Sequence, residues 1–320
     1  MRQWAKSEWW SGRIDDVTND NATRWHQKVR RTTAIESNSD DSGGCISLIG
    51  YASDLGTKVN QGRTGSALGP AKIRKALGNL AWHREVTIID QGDITNDHSV
   101  AAIQEELAVL ISSLRQQGHF SIVLGGSHDM TFGHYKGIYD HLSMANDRAK
   151  MGVINFDAHL DLRPYQKGPH SGSSFLQIAD FMNSRQRDFK YFCLGIEKLA
   201  NTPSLYHKAN DLGAYILDAN DCHLFNLESI TAQLDKFTSD LDFILLSIDM
   251  DGFKSCHAPG VSAPAHVGYD PEFVQALLPY LFSSRKIVGL DIAETNPSYD
   301  LDARTSRLAA ALIHQIVDLC

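Results

Sequence analysis

Short apolar runs recur along the chain after residue 44, at 45–51, 86–90, 120–125, 152–157, 189–194, 214–217, 243–249 and 287–291. Each is nearly continuous in hydrophobic residues, which is how strands covered on both faces read. Segments of helical period lie between most of them. The clearest spans Val100 to Gln117, where Ile103, Leu107, Leu110, Ile111 and Leu114 form one stripe. Pro70 is placed to open another helix, at a first-turn position that needs no backbone N–H. Leu301 to Leu319 reads as a closing helix. Strands alternating with helices predict an α/β fold with a mostly parallel sheet and helices on both faces.

Residues 1–44 break this rhythm. They are polar and aperiodic, yet hold Trp4, Trp9, Trp10 and Trp25, four of the five tryptophans. A disordered tail rarely carries that much aromatic area, so this segment is expected to be an arm docked on the main body or on a neighbouring subunit. No linker, repeat or low-complexity tract divides 45–320, which reads as a single domain.

A chain of 320 residues, 42% hydrophobic and 21% charged, can bury a core without disulfide or metal staples. Its net charge of −8 argues against nucleic acid or an anionic membrane as partner. No apolar run approaches a membrane span, and no secretory signal is read at the N-terminus. The five cysteines are scattered, with no C-x-x-C pair, as suits a reducing compartment and a cytoplasmic protein. Cys256 is expected to be a buried, inert thiol.

Three strand ends carry metal-ligand residue types. LGGSHDM at 124–130 brings His128, NFDAHLD at 155–161 brings Asp157, His159 and Asp161, and SIDMD at 247–251 brings Asp249 and Asp251. In an open α/β sheet, ligands gather beyond the carboxyl ends of the strands, so the six are expected on one rim. If those ends stay extended, residues two apart share a side. Four carboxylates and two imidazoles form a hard, oxygen-rich set, better suited to Mn²⁺ than to structural zinc. Two divalent cations would balance the four negative charges. Ions roughly 3.5–4 Å apart can share a bridging water and acidify it into a hydroxide nucleophile. Other catalytic patterns are weak. Ser127, His128 and Asp129 are adjacent and cannot form a triad, and there is no nucleophile elbow, Walker loop or dinucleotide fingerprint.

GGSHD, DAHLD and SIDMD resemble the three metal motifs of the ureohydrolases, the group of arginases, agmatinases and formimidoylglutamases. The likeness extends through NQGRTGSALGP at 60–70 and GLDIAETNP at 289–297. WWSGRIDD and RWHQKV in the arm, RPYQKGPHSGSSF at 163–175 and APGVSAPA at 258–265 resemble the formimidoylglutamase branch most. The resemblance implies an arginase-like three-layer α/β/α fold with about eight strands. It implies two Mn²⁺ per subunit, a homo-oligomer, and hydrolysis of N-formimidoyl-L-glutamate in histidine degradation. One ion would be held by His128, Asp157, Asp161 and Asp249, and the other by Asp157, His159, Asp249 and Asp251. Glu294 falls where the family pairs a carboxylate with the cationic substrate head, and Asp161 would relay the proton.

Arg163, two residues past Asp161, suits a substrate carboxylate through its planar fork, and Arg63 is a second candidate. Ser171-Gly172 stands where arginases and agmatinases place His-Gly. Ser171 is thus a candidate substrate contact, and the role of the offset His170 stays open. The alternative is an agmatinase- or arginase-like guanidine hydrolase. A metal-dependent phosphoesterase would need a phosphate cradle near the motifs, which the sequence does not offer. A non-catalytic metal-binding role would leave Glu294 unexplained.

Overall fold

Successive residues of the central strands enter two different cores. In 243–249, Ile244, Leu246 and Ile248 join one cluster of buried side chains and Leu245 the other. In 151–156, Ile154 and Phe156 join the first and Met151 and Val153 the second. A strand that alternates between two dry faces has no polar phase, hence the unbroken apolar runs.

The computed structural model describes residues 2–32, 44–95 and 98–320. Its strands are β1 (Arg2–Gln3), β2 (Arg30–Arg31), β3 (Cys45–Tyr51), β4 (Thr87–Ile94), β5 (His119–Gly125), β6 (Met151–Phe156), β7 (Tyr191–Ile196), β8 (Tyr215–Asp218), β9 (Phe243–Asp249) and β10 (Ile287–Ala293). They form one sheet in the order β1-β4-β3-β5-β10-β9-β6-β7-β8, with β2 also pairing β4. Every pairing is parallel except that of β1 with β4. Helices Gly69–Gly78, Leu227–Thr238, Pro271–Ser283 and Arg304–Leu319 cover one face. Helices Val100–Gln116, Met130–Ala145, Ser174–Ser184 and Pro203–Asp211 cover the other. The architecture is a three-layer α/β/α sandwich, with ten strands among the described residues where about eight were expected. The extra two come from the first 31 residues, and strands of two residues leave no periodic trace in a sequence.

Two boundaries also move. The last helix begins at Arg304 because Asp302 and Ala303 have φ of 53° and 54° and interrupt helical geometry. β4 continues past Asp90 to Ile94 through polar residues. Gln91 bonds with Arg2 and Ser47, and the others are satisfied from the neighbouring helix. Arg74, fully buried, bonds Asp93 at 2.5 Å and Asp90 at 2.8 Å, and donates to the Gly92 carbonyl at 3.0 Å.

The N-terminal segment meets the same cluster. Trp10 Nε1 donates to Asp90 Oδ2 at 2.6 Å, and the Arg74 guanidinium lies 4.7 Å from the Trp9 ring centroid. Trp25 is fully buried, edge-on to Trp82 at 5.2 Å, and donates to His314 Nδ1 at 3.0 Å. Among the described residues, no helix is long and apolar enough to cross a membrane.

Candidate metal centre

Four neighbouring strands in the middle of the sheet, β5, β10, β9 and β6, carry the motifs. They run parallel, so their carboxyl ends share one rim. Beyond β5 the chain turns through Gly125 and Gly126. A Cβ on Gly125 would fall 2.4 Å from the Ile292 carbonyl oxygen, and one on Gly126 would fall 2.1 Å from that of Tyr51. Only glycine lets the turn pass between β10 and β3 and deliver His128 to the rim.

The other two motifs do not stay extended. The Asp157 carboxylate accepts the N–H of His159 at 2.7 Å, and that of Asp249 accepts the N–H of Asp251 at 2.8 Å. Met250–Gly252 forms a 3-10 turn, and Asp161 has a left-handed backbone with φ of 46°. The expected alternation along an extended chain is therefore incorrect. Each motif's first aspartate closes a tight turn that brings the following donors around to the same cavity.

The six residues do meet. His128 Nδ1 lies 3.0 Å from Asp249 Oδ2, 3.1 Å from Asp161 Oδ2 and 3.3 Å from Asp157 Oδ2. His159 Nδ1 lies 3.2 Å from Asp251 Oδ2 and 3.5 Å from Asp157 Oδ1. Asp157 thus turns one oxygen to each histidine. His128, Asp157 and Asp249 bring donor atoms within 4.8 Å of one another, as do Asp157, His159 and Asp251. Either trio could seat a cation. His159 is 20% exposed, while the other five are buried.

The electrostatics follow from burying this many like charges. Burial pushes Asp249 and Asp251 upward, and each is raised further by a neighbouring carboxylate, Asp157 for the first and Asp249 for the second. Burial also acts against Asp157, but its bonds to His128 and His159 outweigh that and hold it low. Burial alone would lower His128 and His159; the surrounding aspartates raise both well above the ordinary imidazole range.

Glu294 follows β10 with φ of 60°. Its Oε1 accepts the N–H of His128 at 3.0 Å and the hydroxyl of Thr57 at 3.1 Å, while Oε2 is buried without a partner. Burial, and then the charge of Asp249, push it up to about 8. A cationic group would relieve that cost.

The cavity is about 290 Å³, and His128, His159, Asp161, Asp249, Asp251 and Glu294 all line it. Arg163 and Ser171 line it too. Arg163 is exposed and has no ion pair among the described residues, and Ser171 Oγ accepts from Asn60 Nδ2 at 3.0 Å. Arg63 also reaches the wall, but its Nε donates to the Ser262 carbonyl at 2.9 Å and a terminal nitrogen donates to that of Val261 at 2.7 Å. Its guanidinium braces the 258–265 loop rather than presenting an open fork. His170 lines an adjoining chamber of about 660 Å³ with Pro164 and Lys167, which shares Asn60, Gln61 and Arg163 with the metal cavity, but it does not line the metal cavity itself.

Sequence reasoning missed Asn60, Gln61 and Ser262, which line the cavity, and Thr57, which fixes Glu294. Residues 60 and 61 belong to a loop noticed only for its likeness to relatives. Cys256 is exposed, not buried as expected, because it lies in the turn beyond the Met250–Gly252 element; Cys45, Cys193 and Cys222 are buried.

The arginase family model matches residues 45–318. A formimidoylglutamase from Hahella chejuensis is 40% identical over 97% of this chain and 94% of its own length. One from Aliivibrio fischeri is 38% identical, with 96% and 93% covered. Among solved structures, Bacillus subtilis formimidoylglutamase superposes with a TM-score of 0.79 at 22% identity, covering 93% of this chain and 92% of its own. The extent of the family match and the identity to the curated relatives leave one conclusion: the chain belongs to the arginase family.

Proposed function

We propose that this protein is a formimidoylglutamase, hydrolysing N-formimidoyl-L-glutamate to L-glutamate and formamide in histidine degradation, with two Mn²⁺ ions. The observation that carries the reading is one carboxylate, Asp157, shared between two histidine-carboxylate trios whose other members line the same cavity as Glu294. Relatives of that name match nearly the whole chain, and a Trypanosoma cruzi formiminoglutamase variant with Mn²⁺ superposes at a TM-score of 0.74 and 25% identity, over 88% of this chain and 94% of its own. Buried His128 Nδ1 has no hydrogen-bond partner although three carboxylate oxygens surround it, which fits a cation between them.

In this reading His128, Asp157, Asp161 and Asp249 would hold one ion, and Asp157, His159, Asp249 and Asp251 the other. When bound, the ions supply Lewis acidity and make water a nucleophile near neutral pH. The chain's residues do the rest. Glu294 pairs with the planar amidinium of the formimidoyl group through a charge-assisted bond and holds its carbon at the rim. Asp161, through the carboxylate oxygen turned away from His128, takes a proton from the attacking water and returns it to the glutamate nitrogen as the carbon–nitrogen bond breaks. Ser171 and Asn60 flank the substrate, and Arg163 pairs with a substrate carboxylate. Residues 1–44 act as an arm on a catalytic domain of 45–320. A cytoplasmic homo-oligomer is part of the same reading, supported by scattered cysteines that form no disulfide among the described residues and the resemblance to the branch.

The test is formamide release from formimidoylglutamate with Mn²⁺, run beside urea release from agmatine and arginine. Turnover of the first alone is expected; preferential hydrolysis of either guanidine compound would assign a different activity. Arg163→Ala should raise KM by about 10-fold or more with kcat within about 3-fold, because the carboxylate contact is made equally in ground and transition states. An unchanged KM would remove Arg163 from the substrate site.

A further inference from the structure

Behind His128 runs a buried chain of polar groups that the reaction does not touch. His128 Nε2 lies 2.9 Å from Ser247 Oγ, which is 2.5 Å from Asp291 Oδ1. Thr131 Oγ1 donates to the same oxygen at 3.1 Å. Asp291 Oδ2 is 3.0 Å from His134 Nδ1, and His134 Nε2 is 2.8 Å from Ser121 Oγ. All these side chains are fully buried or within 1% of it. Ser247 and Asp291 are register partners on β9 and β10, and Ser121 pairs with Gly289 on β5 and β10. Helix Met130–Ala145 lays His134 over Gly289, where a Cβ would fall 2.9 Å from His134 Nε2.

Proton accounting gives this chain a direction. Ser247 has one hydroxyl hydrogen, and a carboxylate only accepts, so that hydrogen points to Asp291. Toward His128 the hydroxyl can therefore only accept, which places a hydrogen on His128 Nε2. Nδ1, facing Asp157, Asp161 and Asp249, is then the nitrogen left to bind a cation. The buried Asp291 carboxylate in turn needs hydrogen-bond donors, and Ser247, Thr131 and His134 supply them. Among the described residues His159 has no comparable buried support; its ring contacts are Asp157 and Asp251 at the rim.

We propose that Ser247, Asp291 and His134 are positioning residues that fix the orientation and tautomer of His128, so that the affinity of one of the two metal positions depends on them and that of the other does not. This rests on the two-ion reading above. Partners behind metal-bound histidines typically change metal affinity by about 10–100-fold. The test is a titration of the full chain with Mn²⁺, read by the electron paramagnetic resonance of the free ion. The variants are Ser247→Ala, Ser247→Thr and His134→Ala.

Ser247→Ala should weaken one ion by about 10–100-fold and leave the second within about 3-fold. His134→Ala should weaken the same ion, and Ser247→Thr, which keeps the hydroxyl, should restore two tight ions. If Ser247→Ala binds both ions as wild type does, or loses both equally while its thermal midpoint holds, the relay is refuted and the two-ion reading stands. If wild type itself binds fewer than two ions, the reading fails and the relay with it. Should His134→Ala not fold, the Ser247 pair decides alone, because alanine removes one oxygen and leaves Asp291 bonded to Thr131 and His134.

Discussion

Asp249→Asn should abolish both manganese loading and turnover while leaving the chain folded. Asp249 sits between the two halves of the proposed centre: Oδ2 lies 3.0 Å from His128 Nδ1, and Oδ1 caps the turn that presents Asp251. Asparagine keeps the cap, because its amide oxygen still accepts, but removes the charge that two cations would share. Losing several kcal/mol of Lewis-acid stabilisation corresponds to a fall of about 10³-fold or more in kcat/KM. A second readout separates this from simple damage. Mn²⁺ should raise the thermal midpoint of wild type, since a ligand bound only by the native state stabilises it, and should no longer do so for the variant. Chelated with EDTA, the variant should be at least as stable as wild type, because burial and the Asp157 charge already hold Asp249 above its ordinary range. Two tight ions and normal turnover in Asp249→Asn would refute the shared-ligand assignment.

Arg74→Met should produce the largest loss of stability of any single change outside the centre. Arg74 is fully buried between Asp90 and Asp93, and among the described residues no other cation bonds either carboxylate directly. Removing it strands two buried acids, a change that typically costs about 3–5 kcal/mol. Asp93 is already pushed up by burial despite the guanidinium, so it has little margin. The same change removes the cation facing Trp9 and disturbs the carboxylate that accepts from Trp10. Urea unfolding followed by tryptophan fluorescence should therefore show a lower midpoint together with a red-shifted native spectrum. Adding Asp90→Asn and Asp93→Asn should recover most of the loss. A midpoint unchanged within about 1 kcal/mol would mean that the cluster is dispensable.

What the sequence disclosed depended on how local the signal was. The strands of 45–320 were legible because both faces are dry, which turns each into a run such as Phe243–Asp249. The rim residues were legible because metal-ligand chemistry needs few residue types and these sat at strand ends. Their presentation was not legible: the aspartate-capped turns at 157–161 and 249–251 depend on backbone angles that residue identity leaves open. Arg74 read as one more charge on a helix, since nothing local says that Asp90 and Asp93 lie opposite it. The chain from His128 to Ser121 was invisible for the same reason. Ser247, Asp291, His134 and Ser121 come from four separate elements, and each alone looks like an ordinary polar residue near a strand or helix.

Asp161 and Glu294 both hold left-handed backbones, a conformation that costs a residue with a Cβ roughly 1–2 kcal/mol and costs glycine almost nothing. Position 161 is therefore an attractor in any search that rewards heat resistance alone, whereas glycine at 294 would strand the buried His128 N–H and Thr57 hydroxyl that Glu294 accepts. Laboratory selection for ruggedness without a turnover screen will drift toward glycine at 161, enriching sturdy molecules that have lost their chemistry.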